Sequence, residues 1–83
     1  MFINKTADGK NNLCGRNIAL YRKLLKLSQR ELAHRMQMLG MVIDKNGIQR
    51  MESGQRFITD IELVYLAQAL NVSLSELFHT PNE

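Results

Sequence analysis

Three short segments of this chain share a pattern that marks the first turn of an α-helix. Each has Ser or Thr followed three residues later by Glu, at Ser28–Glu31, Thr59–Glu62 and Ser73–Glu76. In such a capping box the hydroxyl accepts the backbone N–H of the Glu, and the carboxylate accepts the N–H of the Ser or Thr. Because each box defines a helix start, three of them in 83 residues predict an all-α fold.

The composition agrees with a small helical domain. Five aromatic residues, no Trp and one Pro are few for a β-sandwich, and a chain this short forms a single small core. The apolar runs are too short to cross a membrane, and the N-terminus lacks the apolar stretch of a signal peptide. One cysteine, Cys14, cannot form an intramolecular disulfide, which suits a reducing cytoplasm. We therefore predict a cytoplasmic protein without a membrane segment.

The spacing of apolar residues predicts the remaining boundaries. A first helix begins near Arg16, with one face formed by Ile18, Tyr21, Leu24 and Leu25. A second covers about 29–39 and ends at Gly40, a later one runs from 60 to Leu70, and a short one follows Ser73. Residues 16–79 thus form one domain. The polar, aperiodic residues 1–15 predict a flexible N-terminal arm, and residues 80–83 a C-terminal tail.

The segment DKNGIQRMESG, residues 44–54, has two interpretations. Its Asn-Gly pair is typical of a tight hairpin, but the flanking residues do not alternate as two strands would. If Asp44 is the N-cap of a helix over about 45–53, Ile48 and Met51 face inward. Asn46, Gln49 and Arg50 then face the opposite way, with Lys45 at the edge. The helix is the better interpretation.

An exposed helix face of amide and guanidinium groups suits a particular chemistry. Asn and Gln can bond the N6 and N7 atoms of adenine, and Arg can bond O6 and N7 of guanine, in the major groove of DNA. The polar face of any solvated bundle helix has a similar composition, so the face alone leaves both interpretations open.

The charge is distributed unevenly along the chain. All eleven Lys and Arg lie at or before Arg56 with four acids, a net charge of +7, whereas residues 57–83 hold four acids and no Lys or Arg. Such an asymmetry indicates that one end of the domain meets a polyanion, although a solvated basic surface would show it too.

The order of three motifs is more specific than any of them alone. LSQRELAHRM, GIQRMESGQR and ELVYLAQALNVSLSELF together resemble the Cro/repressor-like (XRE) helix-turn-helix family of bacterial and phage regulators over about residues 16–79. The resemblance implies a five-helix, repressor-like DNA-binding domain whose second and third helices form the helix-turn-helix motif.

The resemblance also implies roles for individual residues. The base-reading positions on the third helix are Lys45, Asn46, Gln49 and Arg50. The phosphate-contacting positions are Gln29, Arg30, Gln55 and Arg56. Glu52 matches a structural acid that pairs with an arginine of the first helix, here Arg22.

One segment departs from the family pattern. The connection between the second and third helices is about five residues longer than the family's usual turn, and we expect a hydrophobic loop over Gly40 to Ile43. Methionines 36, 38, 41 and 51 cluster around it. Because Met fills irregular gaps in cores, we expect these four to pack inside, a partner surface being the alternative.

These observations favour a sequence-specific double-stranded DNA-binding transcription regulator, most simply a repressor, acting as a homodimer. The dimer surface is expected in the acidic C-terminal helices, at Phe57, Val64, Tyr65, Val72 and Phe78. The alternative is a helix-turn-helix protein-interaction module such as an antitoxin or anti-repressor, which the long Met-rich turn and the arm would suit. No catalytic constellation, cofactor motif or small-molecule site is apparent, and Cys14, His34 and His79 lack metal-ligand spacing, so we expect neither an enzyme nor a metal protein.

Overall fold

The structure, a computed structural model, describes residues 5–79. Within that range the chain forms five helices and no strand. The helices are α1 (Gly15–Leu24), α2 (Gln29–Leu39), α3 (Lys45–Ser53), α4 (Asp60–Leu70) and α5 (Leu74–Phe78). The prediction of an all-α, five-helix fold is confirmed, and the C-terminal tail over 80–83 lies outside the described residues.

The helix starts follow from their caps. All three predicted capping boxes are formed, with both reciprocal hydrogen bonds in each. At α2 the hydrogen bonds from Ser28 lower the pKa of Glu31, so the carboxylate remains charged at neutral pH. At α3 the side chain of Asp44 accepts the backbone N–H of Gly47 at 2.8 Å. This cap establishes the helical interpretation of residues 45–53 and excludes the hairpin.

The core lies where α1 and α2 pack against α3, α1 and α4 pack against α5, and α4 packs against α1 and α2. Its fully buried side chains come from every helix and are Ile18, Leu32, Met36, Ile48, Met51, Leu66, Leu70 and Leu77. Burying each such side chain contributes about 1.5–3 kcal/mol relative to leaving it exposed. The inward residues of α3 are therefore held by the core, which fixes the direction in which its other face points.

Two of the apolar residues expected to share the inward face of α1 lie outside the core. Leu24 is 65% exposed and Leu25 is also exposed, whereas Ile18 is buried. The reason is that α1 ends at Leu24, and the chain turns at Lys26, whose φ is +59°. The apolar spacing continues past the point where the helix stops.

The expectation that four methionines pack inside is wrong for Met38. Met36 and Met51 are fully buried and Met41 is half-buried, but Met38 is 75% exposed. It lies on the last turn of α2, about 200° around the helix from the buried Met36, and so points away from the core. The end of α2 therefore presents an apolar side chain to solvent.

Residues 5–14, most of the predicted N-terminal arm, lie against the end of α3, and residues 1–4 of that arm lie outside the described residues. The backbone N–H of Asn11 donates to the carbonyl of Gly54 at 2.8 Å, and Lys10 Nζ donates to the carbonyl of Ser53 at 3.0 Å. Within the arm, Thr6 and Lys10 form a closed turn through Thr6 N–H to the Lys10 carbonyl at 2.8 Å. We call residues 5–14 the arm below.

None of the helices in the described part of the chain combines the length and the apolar character that crossing a membrane requires.

Candidate nucleic-acid interface

The outer face of α3 carries the four residues predicted to read bases. Lys45, Asn46, Gln49 and Arg50 are all exposed, whereas Gly47, Ile48 and Met51 on the other side are buried. Asn46, Gln49 and Arg50 line one shallow groove together with Ser53 and Gln55. The described residues contain two ion pairs, Arg22–Glu52 and Arg56–Glu62, so the charges of Lys45 and Arg50 are not neutralised by either.

A second cleft lies where the start of α2 meets the start of α3. Its lining residues are Arg22, Ser28, Gln29, Arg30 and Lys45. Arg30 is exposed and Gln29 is half-buried. This cleft brings two of the predicted phosphate-contacting residues beside Lys45. The N-terminal turn of α2 adds the positive end of a helix dipole, which favours anions.

An ion pair joins α1 to α3 behind this cleft, between the two residues predicted to pair. Arg22 Nε donates to Glu52 Oε2 at 2.6 Å, and the two side chains are only 12% and 9% exposed. Arg22 Nη2 donates to Glu52 Oε1 at 3.1 Å, and Nη1 donates to the carbonyl of Leu27 at 2.8 Å. The guanidinium thus holds the end of the α1–α2 turn and the last turn of α3 in one geometry.

Gln29 belongs partly to this network. Its Nε2 donates to Glu52 Oε1 at 3.0 Å, so one amide N–H is occupied within the protein. The second N–H and the carbonyl oxygen of a glutamine amide are left for other partners. Sequence reasoning assigned Gln29 to phosphate contact and missed this bond, because it depends on how α2 crosses α3.

Arg56, another predicted phosphate contact, is paired within the domain. Its Nη2 donates to Glu62 Oε2 at 2.7 Å, and the Arg56 side chain is half-buried. Glu62 also serves the capping box of α4. Gln55, the preceding residue, is exposed and lines the groove of α3. The pair therefore fixes the position of the loop after α3 relative to α4.

The long connection between α2 and α3 covers the buried side of α3. Ile43 is buried, and Gln37 Nε2 donates to its carbonyl at 2.7 Å. A Cβ added at Gly47 would lie 2.6 Å from Cγ1 of Ile43. Gly47 is thus required by a close approach of the turn to the first turn of α3. Val42, by contrast, is 92% exposed.

We expect Gly47→Ala to destabilise the domain by about 1–3 kcal/mol, although Ala is the better helix former by about 1 kcal/mol. The new methyl group would displace the buried Ile43 from its site. Urea denaturation followed by circular dichroism measures the change. Asn46→Ala, on the exposed side of the same turn, is the matched control and should leave stability nearly unchanged. Stabilisation by Gly47→Ala would show that the turn does not pack there.

A residue that the sequence did not single out connects three segments. Asn12 Oδ1 accepts the backbone N–H of Gly15 at 2.8 Å, at the start of α1. Its Nδ2 donates to the carbonyls of Met51 at 3.1 Å and Arg56 at 2.7 Å, at the end of α3 and in the loop after it. The Asn-Asn pair at 11–12 is the sequence feature that marks this position, but the carbonyls to which Asn12 donates lie about forty residues away in the chain.

The described residues contain no group of three or more His, Cys, Asp or Glu side chains arranged to hold a metal ion. The buried Cys14 is a lone thiol, and its burial raises its pKa, so it stays protonated at neutral pH.

Comparison with known proteins places this arrangement in a family. Residues 18–77 match the family described as Helix-turn-helix. No curated protein sequence matches the chain. Among solved structures, the restriction-modification controller protein C.AhdI from Aeromonas hydrophila is similar, with 30% identity and a TM-score of 0.68. The likeness covers 77% of this chain and 89% of that one. The chain therefore belongs to the Cro/repressor-like (XRE) helix-turn-helix family of DNA-binding transcription regulators.

Proposed function

We propose that this protein binds double-stranded DNA at specific sequences by inserting α3 into the major groove. The observation that carries the proposal is the exposed face of α3, where Asn46, Gln49 and Arg50 share one groove and Lys45 lies at its edge. Amide and guanidinium groups match the hydrogen-bonding edges of adenine and guanine. The opposite face is anchored in the core, so the backbone of α3 is already ordered and only the side chains lose freedom upon binding.

Phosphate contacts would dock α3 in register on the duplex. Arg30 and Gln55 are the best candidates, since both are exposed and border the α3 surface. Gln29 and Arg56 keep free donors beyond those used for Glu52 and Glu62. We propose that these donors also face phosphate. The internal bonds of Gln29 and Arg56 would then orient the donors before DNA arrives.

We further propose that the protein acts as a homodimer through its C-terminal helices. One module this small offers limited contact area, and two copies on half-sites about one helical turn apart provide tight binding. Exposed apolar side chains are present there, at Phe57, Ile61, Val64, Leu74 and Phe78. Tyr65 and Val72 pack mainly against the core of their own chain, so they would contribute less to a dimer surface.

The regulatory role follows from specific binding. A dimer bound over a promoter would exclude other proteins from that DNA, and we propose repression in a bacterial or phage-encoded system, in the cytoplasm. The similarity to a restriction-modification controller protein supports a role in controlling gene expression.

A second candidate is a protein-interaction module of the antitoxin or anti-repressor type. The exposed apolar side chains of Met38, Leu39 and Val42 at the long turn favour it. Retention of genomic DNA fragments on filters distinguishes the two candidates. A DNA-binding regulator retains DNA in a strongly salt-sensitive way, whereas an interaction module shows no such retention.

The phosphate assignment is tested by removing the same charge at two places on α2. Arg30→Ala should weaken binding to operator and random duplexes alike, and should reduce the slope of log affinity against log salt by about 1. Arg35→Ala is the matched control, because Arg35 Nη1 donates instead to the carbonyl of Ala69 at the end of α4. Fluorescence anisotropy over a salt series measures both. Equal effects of the two variants would contradict the docking proposed here.

A further inference from the structure

The arm lies outside the residues that match the Helix-turn-helix family, which begin at 18. It nevertheless makes its contacts with the part of the domain nearest the proposed DNA surface. Its partners are the carbonyls of Met51, Ser53, Gly54, Gln55 and Arg56. These five carbonyls belong to the last turn of α3 and to the loop that follows it.

The carbonyls of Met51 and Ser53 are among the groups that a helix end leaves without an intrahelical partner. The helix supplies part of the cap itself, since Gly54 adopts φ +83° and its N–H donates to the carbonyl of Met51 at 3.2 Å. The arm adds bonds to the carbonyls of Met51, Ser53 and Gly54. Lys10 adds a positive charge at the negative end of the α3 dipole, which is favourable there.

Asn11 and Asn12 make the bonds that reach beyond the helix into the loop. Asn11 Nδ2 donates to the carbonyl of Gln55 at 2.8 Å. Asn12 Nδ2 donates to the carbonyl of Arg56 at 2.7 Å. Each asparagine thereby holds one peptide group of the loop, and the loop residue Gln55 borders the groove formed by Asn46, Gln49 and Arg50.

We propose that Asn11 and Asn12 are positioning residues for DNA binding, which hold the loop at Gln55 and Arg56 in the orientation that contacts phosphate. This rests on the proposed function. The asparagines do not touch DNA in this scheme. They fix the backbone of Gln55 and Arg56, whose side chains would do so, and the backbone bond from Asn11 N–H to the Gly54 carbonyl keeps the arm in place.

Asn11→Ala is the informative variant, because it removes one side-chain bond to the loop and keeps that backbone bond. It also removes the bond that Lys5 Nζ donates to Asn11 Oδ1 at 2.8 Å, which lies inside the arm. We expect it to weaken binding to operator and random duplexes alike, by about threefold to tenfold, the size of one hydrogen bond. Thermal denaturation should change little. Thr6→Ala is the matched control, since it removes bonds inside the arm, from Lys10 N–H at 2.8 Å and to Asp8, and none to the loop.

Asn12→Asp provides an independent variant. The carboxylate keeps the acceptor for the Gly15 N–H but faces the carbonyls of Met51 and Arg56 without a donor. It is therefore expected to weaken DNA binding more than Asn11→Ala does. It should also lower the melting temperature. Asn11→Ala, which is expected to keep the stability of the wild type, therefore measures the effect on DNA binding alone.

A double-mutant cycle separates positioning from a general structural effect. If Asn11 acts through the loop, the loss of affinity caused by Gln55→Ala should be smaller in the Asn11→Ala background than in the wild type. Wild-type affinity for Asn11→Ala, equal weakening by Thr6→Ala, or strictly additive losses with Gln55→Ala would each overturn the inference. If the wild-type protein itself shows no salt-sensitive DNA binding, both the proposed function and this inference fail.

Discussion

Glu52→Gln is expected to lower the free energy of unfolding by about 3 kcal/mol, a large fraction of the stability of a domain this size. The variant keeps the size and shape of the side chain but removes its charge. Arg22 would then remain nearly buried without a counter-charge, and Gln29 would lose its carboxylate acceptor. Because the pair joins α1 to α3, the loss should appear in the cooperative unfolding transition, measured by urea denaturation at neutral pH.

The matched control is Glu62→Gln in the domain's other ion pair. Its partner Arg56 is more accessible to solvent than Arg22, and a glutamine at Glu62 can still complete the capping box with Thr59. The expected loss is less than about 1 kcal/mol. Equal losses from Glu52→Gln and Glu62→Gln would show that the Arg22 network has no special structural importance.

Arg50→Ala should reduce the ratio of operator to random-DNA affinity by about 1–3 kcal/mol, or roughly fivefold to 150-fold. Arg50 is exposed on α3 and lines the same groove as Asn46 and Gln49. Its guanidinium would form two bonds to one guanine, and an alanine offers none. Anisotropy titrations with operator and scrambled duplexes at one salt concentration measure the ratio.

Arg30→Ala and Arg35→Ala test whether the change in this ratio is specific to Arg50. Arg30→Ala removes the same charge but is expected to leave the ratio unchanged, since phosphate contacts carry no sequence information. Arg35→Ala should change neither affinity nor ratio. If Arg50→Ala behaves like Arg30→Ala, Arg50 contacts phosphate and the base-reading assignment must be abandoned.

The helix boundaries could be predicted from the sequence because their causes are local. Ser28 with Glu31, and Asp44 with Gly47, form their caps within four residues. The pairing of Arg22 with Glu52 could be expected only through the resemblance to a known family. Nothing in the spacing of two residues thirty positions apart predicts an ion pair.

The features missed from the sequence depend on tertiary packing. Asn12 looks like an ordinary loop residue until α1 and α3 are brought together at Gly15, where an added Cβ would lie 2.4 Å from the Met51 carbonyl. Leu24 continues the apolar spacing of α1, yet the helix ends there and its side chain is exposed. Apolar spacing indicates a face, but the neighbouring helix decides how much of that face is covered.

Selection of binding sites from a pool of random duplexes, carried out in parallel with the wild type and Arg50→Ala, tests most directly whether the outer face of α3 reads bases. The account predicts that the wild type enriches a two-fold symmetric site with half-sites about one helical turn apart. Arg50→Ala should enrich the same site with one position of each half-site no longer specified. No enrichment by the wild type, or an identical site from both proteins, would contradict it.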